Sequence, residues 1–149
     1  MMFPYFSLLG SDEKTYTLSS FSGKKVVFYF YPKDDTLGCT LEAKGFRDAA
    51  SKYSKLDAMI VGISPDENES HCKFMDKYDL NFLLLSDPEK KLIGELGLWV
   101  EKSMYGKKYF GVARTTYLVD ETGNILHVWE SVKPEGHAEE VLEFVQATT

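Results

Sequence analysis

The sequence predicts an α/β fold with a mixed central sheet flanked by helices, on three observations. Strand-like and helix-like segments alternate from Lys25 to Gly97, the pattern of parallel strand–helix–strand units. Two short apolar runs, Thr115 to Val119 and Ile125 to Trp129, then flank the turn cluster Asp120-Glu121-Thr122-Gly123-Asn124 and predict an antiparallel hairpin. The length of 149 residues suits one core, so residues 1–149 are expected to form a single domain. A chain of about 150 residues buries roughly 68–70% of its unfolded surface, which removes the need for disulfides or a structural metal.

The elements follow in order. Lys25 to Tyr31 reads Lys-Val-Val-Phe-Tyr-Phe-Tyr, a continuous apolar and aromatic run stopped by Pro32, and predicts a central strand covered on both faces. After the turn-like stretch Lys33 to Gly38, the apolar residues Phe46, Ala49, Ala50 and Tyr53 recur at helical spacing, so a helix is expected to start near Cys39. Asp57 to Ile63 is a second strand, closed by Ser64-Pro65, and Asp66-Glu67 with Phe74 and Tyr78 marks a second helix. Asn81 to Leu85 is a third strand. Asp87 is the expected N-cap of a short helix with Pro88 at its first position, ending at Gly94 or Gly97. Gly97 to Gly111, with Trp99, Tyr105, Tyr109 and Phe110 among Lys102, Lys107 and Lys108, has no clear assignment. A last helix follows Pro134, with Val141, Leu142 and Val145 as its apolar face.

Composition narrows the function. Seventeen Lys and Arg against twenty-three Asp and Glu give a formal net charge of −6, so no global basic field gathers phosphate backbones, and nucleic-acid binding is disfavoured even at the lysine-rich stretch. No apolar run approaches the ~20 residues of a membrane span, and Met1 to Phe6 lacks the basic flank of a signal peptide; a soluble, cytoplasmic protein without membrane contact is expected. His71, His127 and His137 are scattered without metal-ligand spacing, and neither a metal nor an organic cofactor is expected.

Two cysteines, Cys39 and Cys72, form no disulfide framework and no Cys-x-x-Cys pair, which disfavours a disulfide reductase. Cys39 follows Gly38 at the start of a helix, beyond the carboxyl end of a buried strand, where open α/β sheets place ligands. The free N–H groups and the positive end of the helix dipole both favour an anionic sulfur there. Ionisation alone does not make a fast nucleophile, because charge developing on a leaving group also needs donors aimed at it. Asp34 and Asp35 would oppose a thiolate if they pointed inward, so they are expected to face solvent.

The stretch Phe28-Tyr29-Phe30-Tyr31-Pro32-Lys33-Asp34-Asp35-Thr36-Leu37-Gly38-Cys39-Thr40-Leu41-Glu42-Ala43-Lys44-Gly45-Phe46-Arg47-Asp48 resembles the active-site segment of peroxiredoxins, most closely the peroxiredoxin Q or bacterioferritin comigratory protein branch. The resemblance continues through Leu84-Leu85-Ser86-Asp87, Trp99-Val100-Glu101-Lys102-Ser103 and Gly111-Val112-Ala113-Arg114-Thr115-Thr116-Tyr117-Leu118-Val119-Asp120, in the family's order. It implies a thioredoxin-like fold with the peroxiredoxin N-terminal extension, and reduction of hydrogen peroxide and organic hydroperoxides through a Cys39 sulfenic acid. By the same resemblance, Arg114 is the arginine that holds thiolate and peroxide together and Glu42 orients it; Thr36, three residues before Cys39 and across one turn, is expected to share the pocket with the sulfur and hydrogen-bond the substrate. A monomer or weak homodimer is implied. The alternative is a redox-responsive binding or holdase protein in which turnover is incidental.

Two departures from the family pattern matter. Leu37 stands where the family has proline, keeping an apolar cover over the sulfur while freeing the loop. Lys44 occupies one family position for a resolving cysteine, and Cys72 lies three residues before another, which aligns with Met75. Cys72 is therefore a candidate resolving cysteine, and a one-cysteine cycle with an external thiol (thioredoxin, glutaredoxin or glutathione) is the favoured expectation.

Overall fold

The computed structural model describes residues 1–149. Its centre is β3 (Lys25–Phe30), whose side chains alternate between two apolar clusters: Val27 and Tyr29 enter one, Val26, Phe28 and Phe30 the other. Burial on both faces is why this segment reads as an unbroken apolar run. β4 (Ala58–Ser64) pairs with β3 in parallel, and β5 (Leu83–Ser86) extends the parallel block on the far side of β4. On the other side β8 (Thr115–Val119) runs antiparallel to β3, and the expected hairpin adds β9 (Ile125–Trp129).

Two strands that the periodicity did not reveal close the opposite edge. β1 (Ser7–Gly10) pairs antiparallel with β5, and β2 (Thr15–Thr17) pairs with β1, giving a seven-stranded sheet ordered β2-β1-β5-β4-β3-β8-β9. They form the N-terminal extension, and Phe3 anchors the preceding chain by stacking on Phe28 with ring centroids 4.8 Å apart.

One face of the sheet is covered by α1 (Leu37–Lys55) and α4 (His137–Ala147), through Phe46, Ala49 and Tyr53 of the first and Val141, Leu142 and Val145 of the second. α2 (Asn68–Tyr78) adds Phe74 to the same cluster. The other face is covered by the N-terminal aromatics and by α3 (Lys91–Glu95), through Leu92 and Ile93. No helix is long and apolar enough to cross a membrane.

Several boundaries differ from expectation for local reasons. α1 begins two residues before Cys39, so the thiol sits inside the first turn. The third strand starts at Leu83 rather than Asn81. Pro88 does not open α3: Lys90 is left-handed (φ 58°), and the Asp87 carboxylate accepts from the N–H groups of Lys91 and Ile93, placing the helix start at Lys91. The unassigned stretch is a separate two-stranded hairpin, β6 (Trp99–Met104) with β7 (Lys107–Val112), turned by Tyr105 and Gly106 at positive φ.

Candidate active site

α1 positions the central thiol. Thr36 is its N-cap residue, and the first helical hydrogen bond runs from the Thr40 N–H to the Thr36 carbonyl (2.8 Å), so the N–H groups up to Cys39 belong to the turn with no partner in the helix ladder. Cys39 itself is 1% exposed. Arg114, immediately before β8, reaches across from the antiparallel side of β3. Its Nη2 donates to Cys39 Sγ at 3.4 Å and its Nη1 to Glu42 Oε1 at 2.8 Å. Glu42 lies one turn beyond Cys39 on the helix and is fully buried, so a single guanidinium bridges a buried sulfur and a buried carboxyl. The structure thus brings Cys39, Arg114 and Glu42 together, three residues that span 75 positions of sequence.

The arginine's approach depends on Gly38. A Cβ at that position would lie 3.2 Å from Arg114 Nη2 and 3.4 Å from Pro134 Cγ. The glycine before the thiol therefore leaves room for the guanidinium.

Burial and pairing act oppositely on the two charged partners. Desolvation pushes the Glu42 carboxyl up to about 7, and Arg114's charge and hydrogen bond pull it down only in part. Burial works against the charge on Arg114, but Cys39 and Glu42 together hold its pKa above the ordinary arginine value. Glu42 Oε2 and the Tyr29 hydroxyl are both buried without a hydrogen-bond partner, which is consistent with a carboxyl that readily takes up a proton. Because the native state holds that proton more tightly than the unfolded chain does, stability falls as pH rises between about 4.5 and 7, by on the order of 3 kcal/mol. Glu42→Gln should flatten this fall. Urea titrations of both proteins at pH 5, 6 and 7 would check it, and parallel curves would show that Glu42 carries no such shift.

Thr36 stands apart from this constellation. Its exposed hydroxyl donates to the Lys33 carbonyl at 2.9 Å and makes no capping bond, which leaves its lone pairs as acceptors. Leu37 is 82% exposed and does not cover the sulfur, contrary to the sequence expectation. It is the first helical residue, and Thr36 before it is extended (φ −90°, ψ 158°), the conformation that a following proline requires. Leu37→Pro should therefore stabilise the fold by about 0.5–1 kcal/mol. Thermal melting reads this directly, and a lowered Tm would contradict it.

Asp34 is the clearest correction. It is buried rather than solvent-facing, and it accepts hydrogen bonds from Tyr31 (2.5 Å) and Ser70 (2.8 Å) and contacts His71 Nδ1 at 2.7 Å. Asp35 does face outward, paired with Lys77 (2.8 Å) and the Tyr78 hydroxyl (2.6 Å). Ligand atoms of Asp34, Asp66 and His71 lie within 4.8 Å of one another despite their unpromising spacing, and all three residues are engaged in hydrogen bonds. His137 bonds Thr116 (2.8 Å) and Glu140 (2.9 Å), and His127 stacks on Phe144; both act in packing.

Cys72 is half-buried on α2, its Sγ 3.6 Å from the Ser11 carbonyl. Ser11 belongs to the β1–β2 turn and is bound to Leu84 of β5. Lys102, in the stretch that the sequence left unassigned, lies on the β6–β7 hairpin. Its stem lies over Gly111, where a Cβ would be 3.5 Å from Lys102 Cδ. Burial and Arg114 lower its pKa, while Cys39 raises it, so this lysine is within electrostatic reach of the thiol.

Fold and site together define an α/β protein centred on a buried cysteine that an arginine ties to a carboxyl. The AhpC/TSA family model matches residues 1–128. A Coxiella burnetii protein bearing the peroxiredoxin Bcp name is 48% identical over 139 residues, covering 93% of this chain and 92% of that protein. The peroxiredoxin Bcp of Bacillus subtilis is 45% identical over 140 residues, with 94% and 89% covered. A solved structure of the Xanthomonas campestris bacterioferritin comigratory protein, from work on its alkyl peroxide reduction activity, superposes with a TM-score of 0.90 at 36% identity, covering 96% of this chain and 91% of that one. The chain belongs to the AhpC/TSA family, in its peroxiredoxin Q and Bcp branch, and has the thioredoxin-like fold of those neighbours.

Proposed function

We propose that this protein is a thiol-dependent peroxidase that reduces hydrogen peroxide and organic hydroperoxides at Cys39. The observation that carries the reading is the Arg114 guanidinium, which donates to the Cys39 sulfur and is braced by Glu42. That cation is already placed, at hydrogen-bond distance from the sulfur, where charge develops on the departing oxygen.

The thiolate attacks one peroxide oxygen; the S–O bond forms as the O–O bond breaks, sulfur is oxidised to the sulfenic acid, and the leaving alkoxide or hydroxide takes a proton to give alcohol or water. Thr36 can accept a hydrogen bond from the hydroperoxide O–H at the mouth of the site. An external thiol then attacks the sulfenic sulfur, releasing water and leaving a mixed disulfide, which a second thiol reduces to restore Cys39. Thioredoxin, glutaredoxin or glutathione fits that role.

The positions of the cysteines favour this one-cysteine cycle. Cys72 Sγ lies against the Ser11 carbonyl at 3.6 Å, whereas Cys39 Sγ accepts from Arg114 at 3.4 Å, so each thiol has a different partner and both are free. Residues 1–149 are proposed to act as one domain, as a monomer or weak homodimer in the cytoplasm.

The test is intact mass after equimolar peroxide is added to the reduced protein without external thiol. Gain of one oxygen at Cys39 with Cys72 free is expected. Loss of two hydrogens mapped to a Cys39–Cys72 bond would make Cys72 the resolving thiol, and an unchanged mass would overturn the peroxidase reading.

A further inference from the structure

His71 is fully buried, and both of its ring nitrogens face acceptors. Nε2 lies 3.0 Å from the Leu85 carbonyl, which has no proton to give, so Nε2 carries an N–H. Nδ1 lies 2.7 Å from Asp34 Oδ2. A neutral imidazole with its proton on Nε2 has only a lone pair at Nδ1, and a lone pair facing a carboxylate at that distance in a dry site is repulsive. One additional proton must therefore lie between His71 and Asp34, whichever of the two holds it more closely.

The rest of the Asp34 carboxyl is saturated. Oδ1 accepts from the Tyr31 phenol on the end of β3, and Oδ2 also accepts from Ser70. The Asp34 backbone N–H donates to Asp66 Oδ2 at 2.8 Å, and Ser64 donates to the same oxygen at 2.7 Å. The open side above the pair is rimmed by Asp35, Glu67, Glu69, Lys73 and Lys77. Two adjacent aspartates thus pin one loop to both ends of α2: Asp34 to Ser70 and His71 near its start, Asp35 to Lys77 and Tyr78 at its end. That loop runs directly into Thr36 and the first turn of α1, where Cys39 sits. Asp35 is left-handed (φ 59°), a conformation that Asp tolerates better than most residues, and its ties to Lys77 and Tyr78 fix it there.

We propose that His71 is a positioning residue for Cys39: the proton it shares with Asp34 locks the loop before α1 to α2 and so keeps the thiol in its reactive place, and removal of that proton releases the loop. The proposal rests on the peroxidase reading for its catalytic consequence, but the lock itself is a property of the resting protein. α2 also carries Cys72, the residue after His71, so one event loosens the segments that hold both thiols.

The experiment is a pH titration of the reduced, 15N-labelled full chain, reading the His71 ring nitrogens by NMR and backbone amide exchange of residues 34–40 corrected for base catalysis. The shared proton is expected as a slowly exchanging ring N–H at Nδ1 or as an acceptor-shifted Nδ1 next to a protonated Asp34. Loop exchange is expected to accelerate on the order of tenfold across whatever pH step removes that proton, as for loss of one charge-assisted hydrogen bond. Asp34→Ala, which removes every bond from the loop to His71 and Ser70, should abolish the step and leave the loop exchanging fast at every pH, and its Cys39 oxidation by peroxide should be on the order of tenfold slower without the wild-type pH break. A His71 titration that leaves loop exchange unchanged would overturn the proposal, as would Asp34→Ala with wild-type exchange and rate. The wild-type titration needs no variant, so misfolding of Asp34→Ala leaves it decisive. Because exchange is read without peroxide, an inert Cys39 would refute the peroxidase reading while leaving the lock to be judged separately.

Discussion

Cys39→Ser should reduce peroxide consumption by at least three orders of magnitude while leaving the fold intact. A serine hydroxyl is almost wholly un-ionised at neutral pH and lacks the polarisable lone pairs that make a thiolate a peroxide nucleophile, so no other group in the site can replace the sulfur. The structural consequence is small. Cys39 is buried in the cluster with Tyr29, Phe46 and Ala43, yet Arg114 Nη2 already points at its side chain and can donate to a serine oxygen instead. A cost of about 1 kcal/mol, or roughly 2–4 °C in Tm, is expected. The comparison is peroxide loss against melting temperature for the two proteins. Consumption above a tenth of wild type would mean that the reactive sulfur is elsewhere, with Cys72 the next suspect.

Arg114→Lys should slow the first oxidation of Cys39 on the order of a hundredfold, the scale of losing one aimed donor to a developing negative charge. The guanidinium serves two acceptors from two different nitrogens, Cys39 Sγ and Glu42 Oε1, in one plane. A lysine ammonium is a single point on a flexible stem and cannot hold both at once, so charge is kept and geometry is lost. Stopped-flow oxidation of the reduced protein measures the rate; a loss of less than threefold would show that positive charge alone suffices. Arg114→Met goes further, because it strands Glu42 in a fully buried position. Breaking one side of a buried pair costs about 3–5 kcal/mol, and here the cost appears only where Glu42 is ionised. With that carboxyl already lifted to about 7 and rising further without its partner, Arg114→Met should be much less destabilised at pH 5 than at pH 8. Equal destabilisation at both would mean that Glu42 stays neutral throughout.

The individual elements show what could be read from residues alone. β3 was legible because burial on both faces writes itself as an unbroken apolar run, and α4 because one face only is buried, at Val141, Leu142 and Val145. β1 and β2 were not legible. They are three or four residues long beside a sheet edge, and only Leu8 and Gly10 of the seven are buried, so they carry too few apolar positions for any period to register. The β6–β7 hairpin was obscured for a related reason, since most of its aromatic and charged side chains are exposed and its alternation follows no core. At α3 the local signal was genuine but was read one turn early: Asp87 does cap, yet it caps Lys91 and Ile93 across a left-handed Lys90.

The sequence by itself determined the sheet's central strand, the position of Cys39 at a helix start and, through the resemblance of its motifs, the family; it also pointed to Thr36, Arg114 and Glu42 as the residues to look for around the thiol. Only the tertiary structure decided which of these meet. Arg114 reaches Cys39 and Glu42 because β8 pairs antiparallel with β3 and returns the chain to the end of the sheet where α1 begins, a pairing between segments some 75 residues apart. It also reversed the reading of Asp34, a residue type that is almost always exposed, by placing Tyr31, Ser70 and His71 around its carboxyl. The physical reason is the same in both cases. Local propensity and periodicity register which face of an element is buried, whereas the polar partners that permit a charge to be buried come from other elements, and only the assembled fold brings them within hydrogen-bond distance.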